Sequence, residues 1–123
     1  MPWLYNSRSG KLTTLAGPTV IEVGYSGAGA GKNNPDMQNV PDVGPIPRGA
    51  WTIVGMSLVT ADHGPCVLRL APRIDTETYG RDGFLIHGDS ISAPGSASKG
   101  CIILSRPTRE KIWASGDKTL VVT

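Results

Sequence analysis

The sequence predicts a mainly β protein with one short helix near its C-terminus. Three observations support that class. The 16 glycines and 10 prolines among 123 residues, about a fifth of the chain, are spread throughout it, which fits many turns and short strands. Short apolar and β-branched runs, several alternating with period two, recur between those turns. Only one stretch carries both a start and a stop signal for a helix.

The elements follow in order. "PWLYN" and "KLTTL", joined by the turn-prone "SRSG", predict an opening hairpin, and "TVIEVGY" adds an alternating strand. Residues 26–49, "SGAGAGKNNPDMQNVPDVGPIPRG", lack periodicity, so the expectation is a long loop of functional or disordered character. Further strands are expected at "AWTIVGM" (50–56), "CVLRLAP" (66–72), "FLIH" (84–87), "CIIL" (101–104) and "TLVVT" (119–123). The helix is expected over Pro107 to Ala114, with Ser105 as its cap, Pro107 in the first turn, Glu110 favouring the N-terminal dipole and Gly116 as its stop. Ile112 and Trp113 then face the core, and Trp51 is expected there too.

Composition bounds the function. At 123 residues the chain is long enough to bury roughly 60–70% of its unfolded surface without a disulfide framework. The net charge of +2 comes from 12 scattered basic residues, and with seven aromatics there is no basic, aromatic-laced stripe of the kind nucleic acid requires. The two cysteines, Cys66 and Cys101, are too few for a secreted staple pattern. No apolar run approaches membrane-spanning length, so no membrane insertion is expected. "MPWLYNSRSGKLTT" lacks the features of a signal peptide, so work outside the cytoplasm implies another route of export.

Three chemistries compete for the remaining motifs. "GAGAGKNN" fails as a phosphate loop, because Ser26 stands where glycine is required and Asn33 where a hydroxyl is required. His63, Cys66, His87 and Cys101 are a legal zinc set, although His87 and Cys101 would have to converge by tertiary folding. The third reading makes Cys101 a nucleophile. A cysteine is only a few per cent thiolate at neutral pH, so it needs an imidazole or another cation nearby, and His87 and Lys99 are the candidates. Gly100 lets a carbonyl approach the backbone, and the amides of Gly100 and Cys101 could face a developing oxyanion. Antiparallel pairing of "FLIH" with "CIIL" is expected to bring His87 and Cys101 together. Two buried strands joined by a loop remain the plain alternative.

The stretch "IHGDSISAPGSASKGCIIL" resembles the signature of the L,D-transpeptidase catalytic-domain (YkuD-like) family: a histidine and glycine, a variable loop, then Ser-(His/Arg/Lys)-Gly-Cys and an apolar strand. Ser98-Lys99-Gly100-Cys101 matches residue by residue, and His87-Gly88 supplies the upstream half. "GPIPRGAWTI" (44–53) resembles the family's segment leading into a central strand, and residues 24–49 with the closing "RPTREKIWASGDKTLVV" resemble a compact subgroup of type VI secretion effectors. The resemblance implies an L,D-transpeptidase-like β-sandwich or barrel, with residues 1–123 as a single catalytic domain and no cofactor. It implies a cysteine acyltransferase acting on peptidoglycan tetrapeptide stems, with Cys101 as nucleophile, His87 as base and then acid, the Gly100 amide in the oxyanion hole and Ser98 in support. Lys99, Gly88, Asp89, Tyr25 and Ser26 are the expected substrate-binding residues. An immunity protein and a secretion-machine component are the implied partners, and the periplasm of a target bacterium is the implied place of action. A non-catalytic peptidoglycan-binding module of the same fold, or a small zinc-stabilised domain, is the alternative. Many family members carry arginine or asparagine two residues after the cysteine, where this chain has Ile103.

Overall fold

A computed structural model describes residues 2–123 as nine strands and one helix. In chain order these are β1 (Trp3–Tyr5), β2 (Lys11–Thr14), β3 (Gly17–Val23), β4 (Tyr25–Ser26), β5 (Gly49–Val59), β6 (Pro65–Pro72), β7 (Leu85–His87), β8 (Ile102–Ile103), α1 (Arg106–Ala114) and β9 (Thr119–Val122). The class is mainly β, with the single helix where its start and stop signals put it.

The nine strands form one sheet in the order β3-β2-β1-β9-β5-β6-β7-β8-β4. Its two edge strands, β3 and β4, are separated in sequence by Gly24 alone, so the ends of the sheet are covalently joined and the sheet curls back on itself as a barrel does. Gly24 is required at that corner, because any Cβ there would run into the Ile103 carbonyl and the Leu104 side chain. The closed sheet wraps a core that includes Tyr5, Leu12, Trp51, Ile86, Ile102, Ile112 and Leu120, each with no exposed surface. Burial of each such side chain contributes on the order of 1.5–3 kcal/mol. Trp51 meets the edge of Phe84 at 5.1 Å between ring centroids and donates its Nε1–H to the Pro47 carbonyl, so it is core, and Trp113 packs half-buried against the same cluster.

Three local expectations change. The loop over residues 26–49 is ordered: it folds into two short 3-10 turns, Gly29–Gly31 and Pro35–Met37, whose amides are bonded back to nearby carbonyls. Ser105 occupies the N-cap of α1, but its hydroxyl makes no capping bond. Glu22 of β3 instead accepts from the Ser105 amide and hydroxyl and from the Thr108 hydroxyl, placing a carboxylate at the positive end of the helix. Finally, β7 and β8 pair in parallel, with Ile86 opposite Ile102 and His87 opposite Ile103. The crossover between them contains no helix; residues 88–98 fold instead into a pinned loop described below.

Candidate active site

Parallel pairing with period-two alternation sends Ile86 and Ile102 into the core and leaves His87 and Cys101 on the opposite side of their strands. Cys101 stands just before β8, alongside Leu85, whose amide hydrogen-bonds the sulfur. The thiol also lies 3.8 Å from the Gly83 carbonyl, to which it can donate. Two cavities meet at this cysteine. The smaller, about 330 Å³, is lined by Asp42, His63, Arg81, Phe84, Lys99 and Gly100 among others. The larger, about 1120 Å³, is bounded by His63, His87, Gly88, Asp89, Lys99 and Arg109 among others.

His87 is almost fully buried, and its Nδ1 lies 2.8 Å from the Gly88 carbonyl. A carbonyl only accepts, so Nδ1 carries the proton and Nε2 keeps its lone pair. Burial holds the His87 pKa below its ordinary value, helped by the charges of His63 and Arg109 and opposed by the Gly88 carbonyl and by Asp89. At neutral pH the ring is therefore uncharged and suited to accept a proton. His63, on the turn between β5 and β6, stacks on it with ring centroids 4.7 Å apart and 36° between planes.

Burial pushes the Cys101 thiol up, while the Leu85 amide and the Arg81 guanidinium pull it back. Free of substrate the pair is thus a neutral thiol and a neutral imidazole, not the preformed thiolate that sequence chemistry anticipates. The cation nearest in effect is Arg81, not Lys99, which is exposed. Arg81 is buried against the ring of Phe84, 5.0 Å from its centroid, and packs directly against Gly100. Gly100 adopts φ +135°, and a Cβ there would lie 2.5 Å from Arg81 Nη2, so both conformation and space demand glycine.

Ser98 organises the turn that carries Cys101. Its hydroxyl donates to the Cys101 carbonyl at 2.6 Å and accepts from the amides of Gly27 at 2.9 Å and Gly100 at 3.0 Å. The Gly100 amide is therefore committed to Ser98 and does not face an incoming carbonyl, contrary to the expectation for it. Ser26 has no exposed surface; it donates to the Gly100 carbonyl and accepts from the Ile46 amide, so it supports the wall from behind and does not line the groove.

Tyr25 and Asp89 meet each other. The Tyr25 hydroxyl donates to Asp89 at 2.6 Å and accepts from the Ala97 amide, while Asp89 also accepts from the Ser90 and Gly95 amides. Burial and that carboxylate push the Tyr25 pKa up to about 12. Lys32 closes the latch, lying 4.2 Å over the Tyr25 ring and donating to the Gly95 carbonyl. These bonds pin both ends of the loop between His87 and Cys101. Asp89 lines the larger cavity but is turned to the loop's amides and not to the His87 ring.

The four potential zinc ligands are not gathered. Among the described residues no three His, Cys, Asp or Glu side chains converge as a metal-binding group, and Cys66 is buried beside Arg109, which donates to its carbonyl. Both cysteines are free thiols. No helix among the described residues is long and apolar enough to cross a membrane.

Comparison with known proteins places these residues in a named context. The family model described as the Tlde1 domain matches residues 21–121, a span that includes both cavities and every candidate-site side chain described above. No curated protein matches the chain.

Proposed function

The chain belongs to the Tlde1 domain family of type VI secretion effectors, and from that premise we propose that residues 1–123 form one catalytic domain, a cysteine acyltransferase acting on peptidoglycan stem peptides. The observation that carries this reading is the position of Cys101 where two cavities meet, with an uncharged His87 on the wall of the larger one. Nucleophile and base share a space, and two approaches to the sulfur allow an acyl donor on one side and a leaving or incoming group on the other.

In the proposed reaction Cys101 Sγ attacks the carbonyl of the third stem residue as His87 Nε2 takes the thiol proton. The tetrahedral oxyanion is held by the Cys101 amide, since that of Gly100 is bonded to Ser98. Collapse breaks the peptide bond, and the His87 proton passes to the departing D-alanine amine, leaving a thioester on Cys101. Water, a free D-amino acid or the side-chain amine of a second stem then resolves it, giving carboxypeptidase, exchange or cross-linking products. The short loop between His87 and Cys101 leaves little chain to cover the larger cavity, which favours hydrolysis or exchange. The proposed site of action is the periplasm of a target bacterium, with an immunity protein as the natural antagonist.

The test is incubation with tetrapeptide muropeptides of several stem types, with and without amine acceptors, followed by mass spectrometry. Loss or exchange of the terminal D-alanine by the wild type, abolished in Cys101→Ala, is the expected result. Unchanged masses with every stem and acceptor would instead leave a non-catalytic wall-binding module.

A further inference from the structure

Two buried arginines line the cavities that meet at Cys101, and they spend their donors differently. Arg81, on the wall of the smaller cavity, gives Nη1 to the carbonyls of Gln38 and Pro45 and Nη2 to those of Gly44 and Lys99. Its terminal N–H groups are all used, so it is a strut. Arg109, on the wall of the larger cavity, is 4% exposed. Its Nη1 donates to the carbonyls of Pro65 and Cys66 and its Nε to that of Ser105, whereas Nη2 has no protein acceptor among the described residues.

That free nitrogen lies against Gly88, the residue after His87: a Cβ on Gly88 would come within 3.0 Å of it. Absence of a side chain at 88 keeps the approach clear. Glu22 and Glu110 act favourably on the Arg109 charge from a distance, but no carboxylate among the described residues is bonded to it. Glu22 is occupied by Ser105 and Thr108, and Glu110 pairs with Arg106. Of the acids on the cavity wall, Asp89 is taken up by Tyr25 and the loop amides. A buried cation with no carboxylate bonded to it and with two unused N–H donors at a cavity wall is suited to receive an anionic ligand, which would supply the missing direct pairing.

We propose that Arg109 Nη2 is the anion anchor of the larger cavity and receives a carboxylate of the stem peptide beside His87. The proposal rests on the acyl-transfer reading of Cys101 and extends it by naming the group that orients the substrate. Two carboxylates have the required chemistry: the terminal one of the fourth residue, and the one on the side chain of a third-position diaminopimelate. Arg109 cannot be imitated here by Lys99, whose exposed ammonium is well hydrated and lacks the planar fork.

The experiment measures binding, so it does not depend on turnover. Calorimetric titration of Cys101→Ala protein compares a tetrapeptide muropeptide as the free acid, as the terminal carboxamide and as the side-chain carboxamide. One amidation is expected to weaken binding roughly tenfold or more, the scale of a charge-assisted hydrogen bond, and its position identifies the anchored carboxylate. In Cys101→Ala/Arg109→Met the free acid should weaken to match that amide, and Arg109→Lys should recover part of the difference. Equal affinity for all three peptides, no measurable binding of the free acid, or full discrimination surviving in Arg109→Met overturns the assignment. Should Arg109→Met fail to fold, because the Pro65 and Cys66 carbonyls lose their donor, the three peptides on the parent protein still decide it. Turnover by the wild type separately decides the acyl-transfer reading.

Discussion

Replacing Ser98 by alanine is expected to damage the turn that carries Cys101 without touching the proposed nucleophile itself. The hydroxyl holds three backbone groups at once, the amides of Gly27 and Gly100 and the carbonyl of Cys101, and the residue is 1% exposed. Alanine deletes all three bonds and strands two buried amides. At about 1–3 kcal/mol for each stranded group, and with some relief from backbone relaxation, the loss should be about 2–4 kcal/mol. For a domain of this size each kcal/mol lowers Tm by about 3–5 °C, so a fall of roughly 10 °C is expected in a circular-dichroism melt. Muropeptide turnover should drop more than the folded fraction does, because Gly100 and Cys101 lose their fixed geometry. Lys99→Ala, next door but exposed, is the control and should stay within about 0.5 kcal/mol of wild type. A Ser98→Ala protein that melts within about 2 °C of wild type and turns over substrate normally would refute the role given to this hydroxyl.

Three further outcomes are expected. Gly100→Ala combines a φ of +135° with a clash against Arg81 and Phe84, so it should cost at least about 2 kcal/mol by denaturant unfolding and remove turnover in whatever protein folds. Arg81→Gln removes the cation that lowers the Cys101 pKa, so iodoacetamide should alkylate Cys101 more slowly at a fixed pH near 8, with Arg81→Lys between that variant and wild type; an unchanged alkylation profile in folded Arg81→Gln protein excludes the effect. His63→Ala and His63→Phe both remove a charge that depresses the His87 pKa, so the acid limb of the pH-rate profile should move to higher pH in both, and a limb that stays put removes His63 from the account. The linkage sign follows: native His87 binds its proton less readily than the unfolded chain, so its stabilising effect is full above about pH 6.5, the ordinary value, and is lost as pH falls toward the native one.

Most strands and the helix were legible because each is written locally, in alternation or in caps, and the proposed His87–Cys101 pair was suggested by a contiguous motif. What was not legible is partner choice. A strand's period gives its faces and not its neighbour, and the link between His87 and Ile102, which contains no helix, is long enough for either a parallel or an antiparallel pairing. The latch that pins it joins Asp89 to Tyr25 and Lys32, which lie far away in sequence. For the same reason Tyr25, Ser26 and Asp89 were all expected to bind substrate, whereas the polar atoms of Tyr25 and Asp89 serve the loop, those of Ser26 serve the wall, and Asp89 alone of the three lines the larger cavity. Arg81 was missed because its partners are backbone carbonyls, which leave no trace in residue identity. Arg109 did leave one. With Thr108 and Ile112 it shares the buried face of α1, and a charged residue on the inward stripe of a short helix was the available signal.

The joining of the two sheet edges at Gly24 bears on the order in which the molecule assembles. Strands β2 and β3 and the β5–β6 hairpin depend largely on near neighbours, but β1 pairs with β9, β4 pairs with β8, and the bonds from Ser26 to Gly100 and from Gly27 to Ser98 span 74 and 71 residues. Such distant contacts bear a large loop-closure entropy and form late. Ser98, Gly100 and Cys101 take their places only when the β4–β8 seam shuts. A partly folded chain therefore carries its cysteine without an organised site around it, and reactivity arrives with completion of the barrel.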